Sequence, residues 1–293
     1  MRIVFVGSVE FSLSALEHLV TMGAEIVGVC TLKESKFNSD HIDLSSISEL
    51  HGIPWLYAQN INSDEAINWI EQKAPDVIFC FGWSKLLKQG LLELAPLGVV
   101  GFHPAELPIN RGRHPLIWAL ILGLNKTAST FFFMNNCADS GDILSQREIE
   151  ISDEDDASSL YEKMTQVALD QIEEFIPGLT SNTYQRQNQD ESLVNSWRKR
   201  GVADGLIDWR MSAKSIHNLV RGLAKPYVGA SFVIEGQEVK VWKTQLVCDA
   251  PRNIEPGKVL KVENDKSIIK CGEDAICLLV TEPPFNPHIG SYL

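Results

Sequence analysis

The chain carries a histidine and an aspartate that could together catalyse acyl transfer, His103 and Asp139. A short, apolar and β-branched run precedes His103, which predicts a buried strand with the histidine at its carboxyl end. In an open α/β sheet, ligands bind in the crevice at that end of the strands. Asp139 lies in a polar loop after another strand-like run, Thr127 to Met134. Taken singly, each residue has an ordinary alternative role, as a core histidine or as a turn aspartate before Gly141.

The residues around this pair form a long and specific pattern. It runs Gly101-Phe-His-Pro-Ala-Glu-Leu-Pro-Ile-Asn-Arg-Gly-Arg-His-Pro-Leu-Ile-Trp and closes with Cys-Ala-Asp-Ser-Gly-Asp142. The pattern resembles the 10-formyltetrahydrofolate-dependent formyltransferases, and most closely the sugar N-formyltransferases. Methionyl-tRNA formyltransferase is a relative of these enzymes. The resemblance extends from Met1 to about residue 280. It implies transfer of a formyl group from 10-formyltetrahydrofolate to the amine of a nucleotide-linked amino sugar, for surface polysaccharide synthesis.

Formyl transfer needs a hydrogen-bond donor for the oxyanion, a base for the amine proton and a dry pocket. The resemblance gives the first role to His103, which Asp139 would orient while also accepting the amine proton. The family motif is Asn-x-His, but Gly101 holds the place of the asparagine. Loss of one oxyanion donor costs about 10²–10³ in rate, or roughly 2.7–4 kcal/mol. His114, Asn110 or an ordered water could supply the missing donor.

The resemblance also implies contacts with both substrates. Residues expected to bind the folate are Phe81, Gly82, Trp83, Ala138, Asp139 and Asp142. A tight turn with Trp83 as a packing residue is the alternative for the first three. Residues expected to bind the second substrate are Arg111, Arg113, Ser8 and Glu10. Guanidinium groups suit a nucleotide diphosphate or the glutamate tail of folate, because they form paired hydrogen bonds with either anion.

The pattern of apolar residues predicts an α/β fold. A strand–helix–strand sequence from Arg2 to Cys30 indicates a parallel sheet, and the apolar run from Val77 to Phe81 indicates a buried central strand. A long helix from Ala157 is predicted to stop at Pro177. Short alternating strands near the C-terminus indicate a small barrel. We therefore expect a Rossmann-like formyltransferase domain over residues 1–185, a polar linker over 186–203 and an OB-like β-barrel domain over 204–293.

Composition limits the partners. The net charge of −12 argues against nucleic acid. Between Thr31 and Leu44, where tRNA-formylating relatives carry a basic insertion, two lysines are outweighed by three acidic residues: Lys33 and Lys36 against Glu34, Asp40 and Asp43. The six cysteines lack metal spacing, so no metal is expected. No signal peptide or membrane span is visible, which predicts a cytoplasmic protein with no membrane partner.

Two other functions stay open. One is formylation of methionyl-tRNA, which the acidic loop counts against. The other is a folate- or sugar-binding homologue that lost its activity together with the asparagine at the position of Gly101. For the preferred function, the expected partner is the nucleotide-linked amino sugar and the expected assembly is a homodimer.

Overall fold

The computed structural model describes residues 1–35 and 38–293. Its helices are α1 Glu10–Thr21, α2 Ser45–Leu50, α3 Asp64–Glu71, α4 Gln89–Leu92, α5 Pro115–Ile121, α6 Ala157–Ser181 and α7 Ala213–Gly222. Its strands are β1 Arg2–Val6, β2 Glu25–Thr31, β3 Trp55–Tyr57, β4 Val77–Cys80, β5 Val99–His103, β6 Arg111–Gly112, β7 Lys126–Phe133, β8 Ile143–Glu150, β9 Ser196–Trp197, β10 Ala230–Ile234, β11 Gln237–Val247, β12 Val259–Glu263, β13 Lys266–Lys270 and β14 Ala275–Glu282. The loop residue Lys36 lies outside the described residues.

The first of two compact units comprises Met1–Gly112, Thr127–Ile149 and Glu162–Trp197. In the described part of the chain, its main sheet has seven strands in the order β3-β2-β1-β4-β5-β7-β8. β1 pairs in parallel with β2 and β4, and β4 pairs in parallel with β5. β7 runs antiparallel to β5. The carboxyl ends of β1, β4 and β5 therefore meet at one edge, and β5 delivers His103 there.

Aromatic side chains fill the core behind β4 and β5. Phe5, Phe79, Phe81 and Phe131 are fully buried. The rings of Phe79 and Phe81 stack at 5.1 Å between centroids, and Phe5 meets Phe81 edge-on at 5.6 Å. Such pairs add about 0.5–1.5 kcal/mol each beyond the burial of their surface. The central strands are thus a rigid base for the residues at their ends.

The prediction that Pro177 ends the long helix is wrong. α6 continues to Ser181 with the proline inside it. Proline has no N–H for the hydrogen bond one turn back, which normally weakens a helix. Here Leu179 is buried beyond the proline, with 1% of its surface exposed, so packing holds the extra turn in place. The Ser181 hydroxyl donates to the Pro177 carbonyl and the Thr183 N–H donates to the Gly178 carbonyl, which closes the helix.

The second compact unit comprises Arg113–Lys126, Glu150–Tyr161 and Arg198–Leu293. The residues described here form a five-stranded antiparallel sheet in the order β10-β11-β14-β13-β12. Buried side chains of α7, among them Ile216, form one core cluster with those of the sheet, including Phe232 and Val241. Together with the first sheet, this small β domain confirms the predicted fold class. The predicted limits at residues 185 and 204 stay a prediction, since helix α5 and Glu150–Tyr161 group with the C-terminal strands.

The helices over residues 1–35 and 38–293 include none with the length and apolar character needed to cross a bilayer.

Candidate active site

His103 is the last residue of β5, and its side chain is buried. Its Nε2 lies 2.9 Å from the carbonyl oxygen of Asn110. A carbonyl oxygen only accepts hydrogen bonds, so Nε2 must carry the hydrogen. In the neutral ring, Nδ1 then holds a lone pair, and it can donate a hydrogen bond only when the ring is an imidazolium. The contact with Asn110 therefore fixes both the ring orientation and the tautomer.

Asp139 lies in the loop between β7 and β8, where its backbone has a φ of 56°. Its Oδ1 is 3.7 Å from Nδ1 of His103, and its Oδ2 accepts a hydrogen bond from the Gly112 N–H at 3.0 Å. The first distance is longer than a charge-assisted hydrogen bond. The structure thus brings the predicted pair together, with a fixed carboxylate facing the free nitrogen of the imidazole.

The loop has little freedom to change its shape. At Gly141, a Cβ atom would lie 1.6 Å from the carbonyl oxygen of Phe133. Any side chain there would displace backbone atoms, so glycine is required. Asp142 accepts a hydrogen bond from the Asn188 side chain at 2.6 Å, and Ala138 is exposed. These two residues stay predicted folate contacts.

Gly101 lies two residues before His103, so their Cα–Cβ directions point to the same face of the strand. A Cβ atom at Gly101 would lie 2.8 Å from Cγ of Met134 and 3.2 Å from Cε1 of Phe132. Met134 therefore fills the space where the family asparagine would begin. Its thioether has no hydrogen to donate. Met134 therefore occupies the space but cannot replace the hydrogen-bond donor of the asparagine.

Arg111, a predicted substrate contact, is hydrogen-bonded within its own compact unit. Arg111 is buried, with 8% of its surface exposed. Its Nε and Nη2 donate to Oε1 of Gln189 at 3.2 and 2.7 Å, and its Nη1 and Nη2 donate to Glu191 at 3.3 and 2.8 Å. This hydrogen bonding lowers the pKa of the Glu191 carboxyl group. The guanidinium is thus hydrogen-bonded inside the protein, and its contact with a substrate anion stays a prediction.

The predicted binding residues at the ends of β1 and β4 differ in how exposed they are. The Phe81 side chain is buried in the aromatic core and its carbonyl accepts from Ser12 Oγ at 2.6 Å. The contact of the Phe81 backbone with folate stays a prediction. Gly82 and Trp83 are partly exposed and stay candidates for the pterin pocket. Ser8 is buried, whereas Glu10 is exposed at the start of α1. Their role in substrate binding stays a prediction.

Two residues of the motif belong to the second compact unit, Arg113 and His114. His114 precedes α5 with a φ of 58° and is half-buried. Burial, followed by the charges of Arg113, Arg200 and Lys199, lowers the pKa of the His114 imidazole. The ring is therefore neutral near pH 7, with one N–H to donate. Its role as the replacement donor stays a prediction. Asn110 does contact His103, but through its carbonyl as an acceptor.

Two family models match this chain. The model of the formyl transferase family matches residues 1–175, and the model of the formyl transferase C-terminal domain matches residues 201–287.

The chain belongs to the formyl transferase family.

Relatives of this formyltransferase act on different substrates. The chain is 31% identical over 280 residues to methionyl-tRNA formyltransferase of Geobacter metallireducens, which covers 94% of this chain and 89% of the relative. It is 30% identical over 282 residues to the bifunctional polymyxin resistance protein ArnA of Wigglesworthia glossinidia brevipalpis. That match covers 95% of this chain and 42% of the relative. The crystal structure of the sugar 3N-formyl transferase WlaRD, with dTDP and 5-N-formyl-THF, shares its fold at a TM-score of 0.71 and 17% identity, covering 94% and 96%.

The family defines the reaction class. This formyltransferase is an enzyme that uses 10-formyltetrahydrofolate as its formyl donor. The predicted family, enzyme class and donor are confirmed, whereas the acceptor is left open between an amino sugar and methionyl-tRNA.

Sequence interpretation missed the site residues that follow α6 in this formyltransferase. The segment was predicted to be a linker because it is rich in Asn, Gln and Ser. In the structure, Gln187 exchanges hydrogen bonds with Ile143, and β9 pairs with β6. Residues up to Trp197 belong to the first compact unit. The limits of the linker stay a prediction, and no local sequence signal reveals these contacts.

Proposed function

We propose that this formyltransferase transfers a formyl group from 10-formyltetrahydrofolate to the amine of a nucleotide-linked amino sugar, for surface polysaccharide synthesis. The reaction class follows from the family. The choice of a sugar over tRNA rests on the loop between β2 and α2, which has more acidic than basic residues and whose described residues pack onto their own unit.

The proposed reaction uses the two charges beside β5. The neutral amine attacks the formyl carbon, and the carbonyl oxygen gains the negative charge. His103 donates to that oxyanion from Nδ1 as an imidazolium, because its Nε2–H is held by the Asn110 carbonyl. Asp139 accepts the amine proton. The bond to the folate nitrogen then breaks, and that nitrogen leaves with the proton that Asp139 took from the amine.

The loop after β2 carries the preference for a sugar. The Asp40 carbonyl accepts from the Glu10 N–H at 3.0 Å, and His41 pairs with Val9. The Asp43 carboxylate accepts from the Tyr57 hydroxyl at 2.8 Å. The described residues of this loop are thus hydrogen-bonded to the β1–α1 turn and to β3. Binding of the tRNA backbone requires clustered Lys and Arg, and the composition of this loop does not provide them.

Direct formylation assays test the proposal. The protein is incubated with 10-formyltetrahydrofolate and a panel of dTDP- and UDP-linked amino sugars, and the products are identified by mass. We expect one panel member to gain a single formyl group, and Asp139→Asn serves as the inactive control. Absence of any formylated sugar, with formylation of methionyl-tRNA in the same assay, would contradict the proposal.

Methionyl-tRNA stays a second candidate, because the 31% identical relative with that name covers 94% of the chain. Retention of the tRNA at low salt that weakens steadily as salt rises would favour it. The contact of Met134 at Gly101 favours a third candidate, a homologue that binds but does not catalyse. Binding of folate without formyl transfer to any amine would select this last function.

A further inference from the structure

The segment Gln187–Trp197, which we call the strap, is hydrogen-bonded at one end to β8, which follows the loop of Asp139, and at the other to β6, which follows Asn110. At one end, Gln187 N–H donates to the Ile143 carbonyl at 2.9 Å, and Ile143 N–H donates to the Gln187 carbonyl at 2.8 Å. At the other end, Ser196 and Trp197 pair in parallel with Arg111 and Gly112. Two amide side chains between these ends reach inward.

The first is Gln189, which holds the loop of Asp139. Its Nε2 donates to the carbonyl oxygens of Asp139 and Gly141 at 2.9 and 2.7 Å. Its Oε1 accepts from the buried guanidinium of Arg111. A charged donor on one side of an amide fixes which way the amide points. Arg111 therefore ensures that the N–H groups of Gln189, and not its oxygen, face the loop.

The second is Asn195, which holds the peptide that orients His103. Its Oδ1 accepts from the Asn110 N–H at 2.7 Å, and its Nδ2 donates to the Asn110 side chain at 3.2 Å. Asn110 has a φ of 64°, a left-handed conformation that asparagine adopts more readily than most residues do. The carbonyl of the same residue accepts from Nε2 of His103.

We propose that the strap positions the catalytic pair, with Gln189 setting the place of Asp139 and Asn195 setting the ring of His103. Neither amide is a partner of the imidazole or the carboxylate, so both are positioning residues. The proposal rests on the assignment of His103 and Asp139 to formyl transfer, but not on the identity of the acceptor. A misplacement of a catalytic group by about 1 Å can lower a rate by roughly 10².

Four substitutions test the two side chains. Gln189→Ala and Asn195→Ala should each lower kcat by about 10–10² with little change in the KM of either substrate. Gln189→Glu keeps the acceptor for Arg111 but removes the donor to the loop, so it should be as slow as Gln189→Ala. Asn195→Asp keeps the acceptor for the Asn110 N–H, so it should recover most of the wild-type kcat.

The control and the second readout separate positioning from a loss of stability. Ser192→Ala removes a hydroxyl that donates within the strap to Asp190 at 2.7 Å, so its kcat should equal that of the wild type. The pH profile of kcat should shift in Asn195→Ala, because the Asn110 peptide, whose carbonyl binds the ring of His103, loses its hydrogen bond to Asn195. It should not shift in Ser192→Ala. Melting temperatures identify variants that fail to fold.

Two outcomes would overturn the proposal. One is that both alanine variants keep the wild-type kcat. The other is that kcat falls only in proportion to a lowered melting temperature, with an unchanged pH profile and no recovery in Asn195→Asp. All rates are measured on whichever amine the wild type formylates. Failure of the amino sugar panel would therefore leave this test intact, and activity retained in His103→Ala would instead contradict the catalytic pair.

Discussion

His103 and His114 lie in one sequence motif, but the charges of their neighbouring groups have opposite signs. His103 is buried at the end of β5, with its Nε2 bound to a carbonyl and the Asp139 carboxylate 3.7 Å from its Nδ1. His114 precedes α5 in the second compact unit. Its pKa is lowered by burial and then by three neighbouring cations, those of Arg113, Arg200 and Lys199. One histidine faces an anion, and the other lies among cations.

The difference shows how position, and not residue type, assigns the chemistry. A positive imidazolium is what His103 needs in order to donate to an oxyanion, because its other nitrogen is already used. The same charge at His114 would be repelled by its neighbours. If His114 takes part in catalysis, it does so as a neutral donor. The two histidines therefore cannot exchange roles.

The largest effect on kcat is expected at His103 and its anionic neighbour Asp139. His103→Ala and Asp139→Asn should each lower kcat by about 10²–10⁴, the range typical of a lost acid–base group, or roughly 2.7–5.5 kcal/mol. Because the two act as one unit, the double variant should be little slower than either single one. Single-turnover assays measure this, with circular dichroism to confirm folding. A kcat near that of the wild type in either variant would contradict the assignment of His103 and Asp139 as the catalytic pair.

The role of His114 is tested by His114→Asn. Asparagine is chosen because His114 has a positive φ, which asparagine tolerates better than most residues do. If His114 supplies the donor that Gly101 lacks, kcat should fall by about 10²–10³ with little change in KM. Steady-state assays of both substrates measure the two constants. An unchanged kcat would show that His114 serves only the start of α5.

Restoring the family asparagine at Gly101 sharpens the comparison further. Gly101→Asn alone should lower the free energy of unfolding by about 1–3 kcal/mol, because its side chain overlaps Met134. Adding Met134→Ala should make room, recover part of that loss and raise kcat above that of Met134→Ala alone. Urea unfolding and formyl transfer are measured on all three variants. Equal stability of Gly101→Asn and the wild type would mean that Met134 does not fill this space.

The smallest effect is on the pH dependence of stability in the second compact unit. Burial and neighbouring cations lower the pKa of His114 and of His217 below the usual 6.5. The unfolded chain therefore takes up protons first as the pH falls below about 6.5, which favours unfolding. Stability is higher above that value and is lost below it.

His114→Asn and His217→Asn should each remove part of this loss, and the double variant should remove more. The free energy of unfolding is compared at about pH 7.5 and about pH 5.5. His18→Asn is a matched control in the first compact unit, where Nε2 of His18 lies 3.0 Å from Oε1 of Glu173. Unchanged pH dependence in the double variant would contradict the proposed cause.

Much of the fold was predictable because its signals are local. Apolar periodicity gave most helices and strands to within a few residues, including the strand that ends at His103. The motif from Gly101 to Asp142 was enough to indicate the family and the reaction class, and the catalytic pair that it suggests stays a prediction. Each of these conclusions depends on residue types at fixed spacing, which a single sequence displays directly.

The support of the site was decided by tertiary structure alone. Arg111 and Glu191 are 80 positions apart, and nothing near either residue shows that they pair. Met134 fills the space at Gly101 from a neighbouring strand, and Leu179 carries α6 past its proline by being buried. A polar strap and a polar linker have the same composition. What separates them is the set of hydrogen bonds to distant backbone, and these exist only once the chain has folded.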